Sequence, residues 1–120
     1  MRKSVFTVLG HVTLGTLILA GANSALAADP AQVARGKIIF KDWCAPCHGA
    51  GMKGHAGTMA LGVKYHGSLP AELSKRTDLT PEMIDFFLRN GVSIMPPFRP
   101  TEVTVSDEKD LIAYLTRNSK

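Results

Sequence analysis

Segments that alternate apolar and polar side chains are nearly missing from this 120-residue chain. Only Glu102 to Val105 alternates at all, and it is short, so a sheet-based fold has little to build on. Cysteine is scarce as well. The pair Cys44 and Cys47 is too small for a disulfide-built scaffold. The basic residues are scattered rather than gathered in a run or stripe, which excludes a nucleic-acid footprint. No internal repeat or low-complexity stretch interrupts the sequence, and the length suits one domain.

What is present begins with a leader pattern. Arg2 and Lys3 precede a mostly apolar stretch from Val5 to Ala22, and Ala25-Leu26-Ala27 forms an A-x-A cleavage signal. Residues 1–27 are therefore expected to be a cleaved signal peptide, with a mature domain at 28–120 exported to the periplasm. An uncleaved membrane anchor is the rival, because the apolar stretch approaches spanning length. His11, the threonines and the glycines within it weaken that rival, so no stable membrane span is expected after cleavage. The formal charge of +4 owes two units to Arg2 and Lys3, which leaves 12 basic against 10 acidic side chains. A mature chain of this size is small for a core of side chains alone, and an apolar cofactor is one way to complete it.

Three helices are expected in the mature chain. Asp29-Pro30 pairs a cap with proline at the first helical position, and Val33, Gly36, Ile39 and Phe40 carry the helix toward Asp42. Cys44 to His48 follow as a tight helical turn. Gly49 to Lys64, rich in glycine and small residues, reads as a loop. Thr80-Pro81-Glu82 opens a second helix whose face holds Met83, Ile84, Phe87 and Leu88, and Asn90-Gly91 closes it. Pro96, Pro97 and Pro100 prevent a regular helix across 92–101. Ser106 with Asp107 and Glu108 starts a third helix striped by Leu111, Ile112 and Leu115.

The chemistry centres on Cys44-Ala45-Pro46-Cys47-His48. Two thiols three positions apart on a helical turn can each add to one vinyl group of a single haem, and the next residue then offers an imidazole to the iron. C-x-x-C-H is the attachment pattern for c-type haem, and histidine is a usual proximal ligand. Other readings use the same residues. A disulfide needs only the two thiols. A zinc site needs about four ligands, and the remaining pool is His55 and His66. Trp43-Cys44-Ala45-Pro46-Cys47 also looks like a thioredoxin-type thiol motif, with Ile94-Met95-Pro96 as its later loop, but that fold needs strands this sequence lacks.

A second axial ligand would saturate the iron and suit it to carrying electrons, and methionine sulfur raises the potential. Met52 sits too close to His48, Met83 is at core spacing on a helix, and Met59 lies in the expected loop. Met95 follows a closed helix and precedes Pro96-Pro97, whose restricted backbone can hold a thioether in place. The expected metal ligands are His48 and Met95. His55 and His66 are the rivals for the second position, and an open sixth position would mark an enzyme or ligand sensor instead. Arg76 and Arg99 are candidates to meet haem propionates, Tyr65 and Trp43 to pack on the haem edge, and Lys37, Lys41, Lys53 and Lys64 to surround a docking face.

With these residues assembled, the chain resembles class I cytochromes c over nearly all of its mature length. The resemblance rests on Gly36-x-x-x-Phe40 before the haem motif, Asn90-Gly91 leading to Met95-Pro96-Pro97-Phe98, and Leu111-Ile112-Ala113-Tyr114-Leu115 near the C-terminus. It implies an all-α class I cytochrome c fold, with three main helices and loops wrapped around one covalently bound haem c. It also implies that the first and last helices cross at Gly36, Phe40 and Tyr114. The implied activity is single-electron transfer without bond chemistry on a substrate. The family often places a proline after the motif to receive the proximal imidazole N–H, yet none occurs between Gly49 and Leu69. A backbone carbonyl near His55 to Gly57 is expected to take that role. At finer grain, Gly57-Thr58-Met59-Ala60-Leu61, Arg76-Thr77-Asp78-Leu79-Thr80-Pro81 and the Met95 loop are similar to the small cytochrome subunits of flavocytochromes of the p-cresol methylhydroxylase and eugenol hydroxylase type. That likeness implies a flavoprotein dehydrogenase as electron donor and another cytochrome, a blue-copper protein or a terminal oxidase as acceptor. The alternative is a free-standing periplasmic carrier that feeds a terminal oxidase.

Overall fold

The computed structural model describes residues 28–120, so the expected leader lies outside the described residues. Helix α1 (Pro30–Ile39) starts where Asp29 accepts a hydrogen bond from the Ala31 N–H, with Pro30 at its first position. It does not continue to Asp42 as a regular helix. Phe40–Cys44 forms a π-helical turn, and α2 (Ala45–His48) follows directly. Such a turn inserts one extra residue into the helical phase, and here it ends on Cys44, the first residue of the motif.

The segment expected to be a loop from Gly49 to Lys64 holds helix α3 (Ala56–Tyr65). Its glycines, read as helix breakers, serve close packing. A Cβ at Gly62 would stand 2.8 Å from the Met52 sulfur, and one at Gly57 would press into the His48 ring. The helix ends at His66 and Gly67, both with positive φ. A 3-10 turn at Leu73–Lys75 leads to α4 (Pro81–Asn90), where Thr80 accepts from the Met83 N–H and Gly91 (φ 68°) caps the end, as its sequence predicts. The last helix, α5 (Val105–Thr116), starts two residues early relative to the Ser106 reading. Thr104 and Asp107 cap each other reciprocally, so the apparent alternation from Glu102 to Val105 is a turn running into a cap. Among the described residues there is no strand, only a single bridge between Val92 and Met95.

Helices α1 and α5 make the main packing contact. At Gly36 the two backbones come so close that an added Cβ would overlap the Asp110 carbonyl group and lie 2.8 Å from Tyr114 Cβ. Phe40 and Tyr114 stack tilted beside that point, with ring centroids 5.4 Å apart, and Arg35 forms a two-pronged ion pair with Asp110 at 2.7 and 3.2 Å. Backbone cannot yield as a side chain can. Gly36→Val is therefore expected to destabilise the protein by about 3 kcal/mol or more, measurable as a lower urea midpoint. An unchanged midpoint would mean that the helices do not cross here.

Candidate functional site

The buried residues Leu79, Ile84, Leu88, Leu111 and Leu115 belong to the core, yet each also faces a cavity of about 490 Å3. That volume lies within the range of cofactor pockets. The same cavity is lined by Cys44, Cys47 and His48 from one side of the fold and by Met95 from the loop after α4. The four residues singled out in the sequence, separated by up to 51 positions, thus share one mostly apolar chamber. Trp43, Val92 and Ile94 line it while remaining largely exposed, so they form part of its rim.

The motif residues differ in their surroundings. Cys44 is half-buried, and desolvation, aided by the neighbouring Cys47, pushes its thiol up to about 12. Cys47 is exposed, and neither cysteine is in a disulfide. Burial lowers the His48 pKa and so favours neutral imidazole, the form that binds metals. The ring lies against Gly57, where a Cβ would come within 2.6 Å of Nδ1 and 2.8 Å of Nε2. Thr58, only 1% exposed, donates from Oγ1 to the Gly49 carbonyl at 2.8 Å and fixes α3 against the residue after His48. The backbone carbonyl expected near His55 to Gly57 does not receive the imidazole N–H, and His48 Nδ1 is buried with no hydrogen-bond partner. The backbone at 55–57 turns into α3, and it offers the ring a glycine surface in place of an acceptor.

The rivals for the second axial position fall away from the chamber. His55 bonds through Nδ1 to the Gly51 carbonyl at 3.1 Å, and neither it nor His66 lines the cavity. Met59 is exposed on α3. Met52 borders a separate open groove that contains no cysteine and not His48. Met83 does line the cavity, but it packs against the core from the α4 face, as its helical spacing predicts. Arg76 is 2% exposed, lines the cavity, and holds Asp78 through two 2.6 Å hydrogen bonds beneath the Tyr65 ring. Arg99, expected beside it, instead pairs with Glu102 on the surface and does not reach the chamber. Tyr65, Trp43 and Lys64 line the cavity, whereas Lys37, Lys41 and Lys53 do not.

This arrangement fits a covalently held haem. It offers two thiols at one wall, a neutral imidazole pressed in place, a thioether and a largely apolar chamber. It does not fit zinc or a thioredoxin-type site. The described residues contain no group of three or more side chains suited to a metal ion, and no strands flank the cysteines. No helix among the described residues is long and apolar enough to cross a membrane.

Comparison with known proteins agrees with the geometry. The family model described as cytochrome C oxidase, cbb3-type, subunit III, matches residues 31–115. A cytochrome bc1 complex cytochrome c subunit from Corynebacterium diphtheriae is 33% identical over 97 residues, which is 81% of this chain but only 31% of that protein. The chain thus spans under a third of that relative's length. A cytochrome c-552 from Bradyrhizobium diazoefficiens is 30% identical over 99 residues, covering 82% of this chain and 86% of its own. A match across most of the described chain, joined to an all-α fold around such a chamber, leads to one conclusion: the chain belongs to the cytochrome c family, proteins that carry covalently bound haem c and transfer electrons.

Proposed function

We propose that this cytochrome is an exported single-electron carrier in which Cys44 and Cys47 would hold one haem through thioether bonds, and His48 and Met95 would be the side chains that bind its iron. The observation that carries the reading is the convergence of these four side chains on one apolar chamber. When bound, the haem supplies a one-electron ferric/ferrous couple. The chain's own residues do the rest. Cys44 and Cys47 anchor the group at one wall. Gly57 leaves the space that His48 occupies, and the loop of 92–98 presents the Met95 thioether. Leu79, Ile84 and Leu111 exclude water from the interior. Trp43, Val92 and Ile94 leave the rim open to a docking partner.

The leader pattern in residues 1–27 supports export, with the mature protein starting at Ala28. The likeness to a bc1 complex cytochrome c subunit, a cytochrome c-552 and a cbb3-type oxidase subunit favours respiratory electron transfer, with a membrane oxidase, another cytochrome or a blue-copper protein as acceptor. A flavoprotein dehydrogenase as donor is the second reading. Its support is the likeness of the Gly57–Leu61, Arg76–Pro81 and Met95–Phe98 blocks to flavocytochrome subunits. Adding the ferrous holoprotein to membranes of its native host separates the two. Respiratory transfer predicts rapid oxidation that cyanide stops. Failure of the membranes to oxidise it, with a flavoprotein co-purifying in equal amount, would support the second reading over the first.

A further inference from the structure

Arg89 stands in the last turn of α4, two residues before the Gly91 cap where the chain enters the Met95 loop. It does not line the cavity. Its guanidinium instead reaches three acceptors at once. Nη1 donates to the Phe98 carbonyl and to the Val103 carbonyl, each at 3.0 Å, and Nη2 donates to Glu108 Oε2 at 2.5 Å. Both members of this ion pair are largely buried, with side chains 19% and 12% exposed. The neighbouring Leu88 carbonyl accepts from the Phe98 N–H at 2.8 Å. Leu88 and Arg89 therefore form one side of a neck, and Phe98 forms the other. Between them the chain runs out and back, closed by reciprocal Val92–Met95 hydrogen bonds of 3.0 and 2.9 Å, with Met95 in the interior of the loop. Phe98 also sets its ring edge-on to Trp43, at 5.9 Å, next to the haem motif.

We propose that the Arg89–Glu108 pair is a positioning latch for the Met95 loop, so that the hold of Met95 on the iron is set by a charge pair outside the chamber. The proposal rests on the reading that Met95 would bind the haem iron. Only a planar fork can serve two carbonyls and a carboxylate in these directions. Lysine keeps the charge but supplies a compact point donor on a differently shaped stem. Losing the fork leaves the Phe98 and Val103 carbonyls short of a donor, and Val103 is fully buried, so water cannot readily replace it. The loop neck then loosens, and the thioether competes less well for the metal. The Arg35–Asp110 pair supplies a control. It also ties α5 to another helix through a two-pronged contact, but it touches no part of the Met95 loop.

Imidazole titrated onto the ferric holoprotein tests the latch, read as loss of the near-infrared thioether-to-iron band. Arg89→Lys is expected to bind imidazole about tenfold more tightly than the parent, equivalent to ~1.4 kcal/mol. Arg35→Lys is expected to stay within about twofold. Equal tightening in both variants, or none in Arg89→Lys, overturns the proposal. If Arg89→Lys does not fold, Glu108→Gln, which keeps an acceptor but removes the charge, is read against the same control with about threefold tightening expected. Failure of the ligand reading shows itself separately, as a band that survives Met95→Ala. In that case hydrogen exchange of the Phe98 amide decides the latch alone. Exchange about tenfold faster in Arg89→Lys supports it, and exchange at the parent's rate overturns it.

Discussion

Met95→Ala is expected to abolish the thioether-to-iron band and to lower the midpoint potential by more than about 0.1 V, within the ~0.8 V over which axial ligands set haem potentials. Thioether sulfur favours the ferrous state, and alanine leaves that position to water or another weak donor. The alternatives are limited by geometry. His55, His66, Met52 and Met59 do not line the chamber. Met83 does, but it is held in the core packing of α4, so it cannot substitute without unravelling that helix. A spectroelectrochemical titration checks both readouts. A band and potential equal to those of the parent would reject Met95 as the ligand and reopen the choice in favour of Met83.

Loss of the haem is expected to unfold the chain. Replacing both Cys44 and Cys47 with alanine, or producing the protein without haem-attachment machinery, should yield a species with little cooperative unfolding and weak helicity. A chamber of about 490 Å3 lined mostly by apolar side chains has no partner for them once its occupant is gone, so they must either face water or collapse on one another. Small domains have only ~5–15 kcal/mol of stability in all. Five of the buried core residues, Leu79, Ile84, Leu88, Leu111 and Leu115, face this chamber, so without its occupant most of the core loses a packing partner and only the crossing of α1 and α5 around Phe40, Val103 and Tyr114 stays filled. Circular dichroism with urea titration gives the answer. A haem-free form with native helicity and a sharp transition would show that the side chains suffice.

Much of this was legible in the sequence because the signals were local. Asp29-Pro30 and Thr80-Pro81 are cap-plus-proline starts, and both appear where they were expected. The motif at 44–48 carries its own spacing, and Pro96-Pro97 marks the Met95 loop for a reason that needs no tertiary information. Gly36 and Tyr114 fit the crossing that the family resemblance implied. What stayed hidden depended on contacts across the fold. Helix α3 reads as a loop in the sequence because glycine lowers helix propensity by about 1 kcal/mol, whereas in the fold Gly57 makes room for the His48 ring and Gly62 lies under the Met52 side chain. The Thr104–Asp107 cap is masked in the sequence by Ser106, which offers an equally good capping side chain two residues on. Arg99 and Arg76 look alike in the sequence, since residue type is all it offers, but only Arg76 lines the chamber. The three-acceptor role of Arg89 has no sequence signature, since Phe98, Val103 and Glu108 lie 9, 14 and 19 positions away.

The whole reading depends on Cys44 and Cys47 both bonding to one haem. Mass spectrometry of a tryptic digest of the natural protein tests it most directly. Cleavage after Lys41 and Lys53 gives the peptide Asp42 to Lys53, which holds both cysteines and His48. The account predicts that this peptide carries the mass of a single haem and resists thiol alkylation before and after reduction. A colourless peptide whose cysteines alkylate, either at once or after reduction of a disulfide, would contradict it.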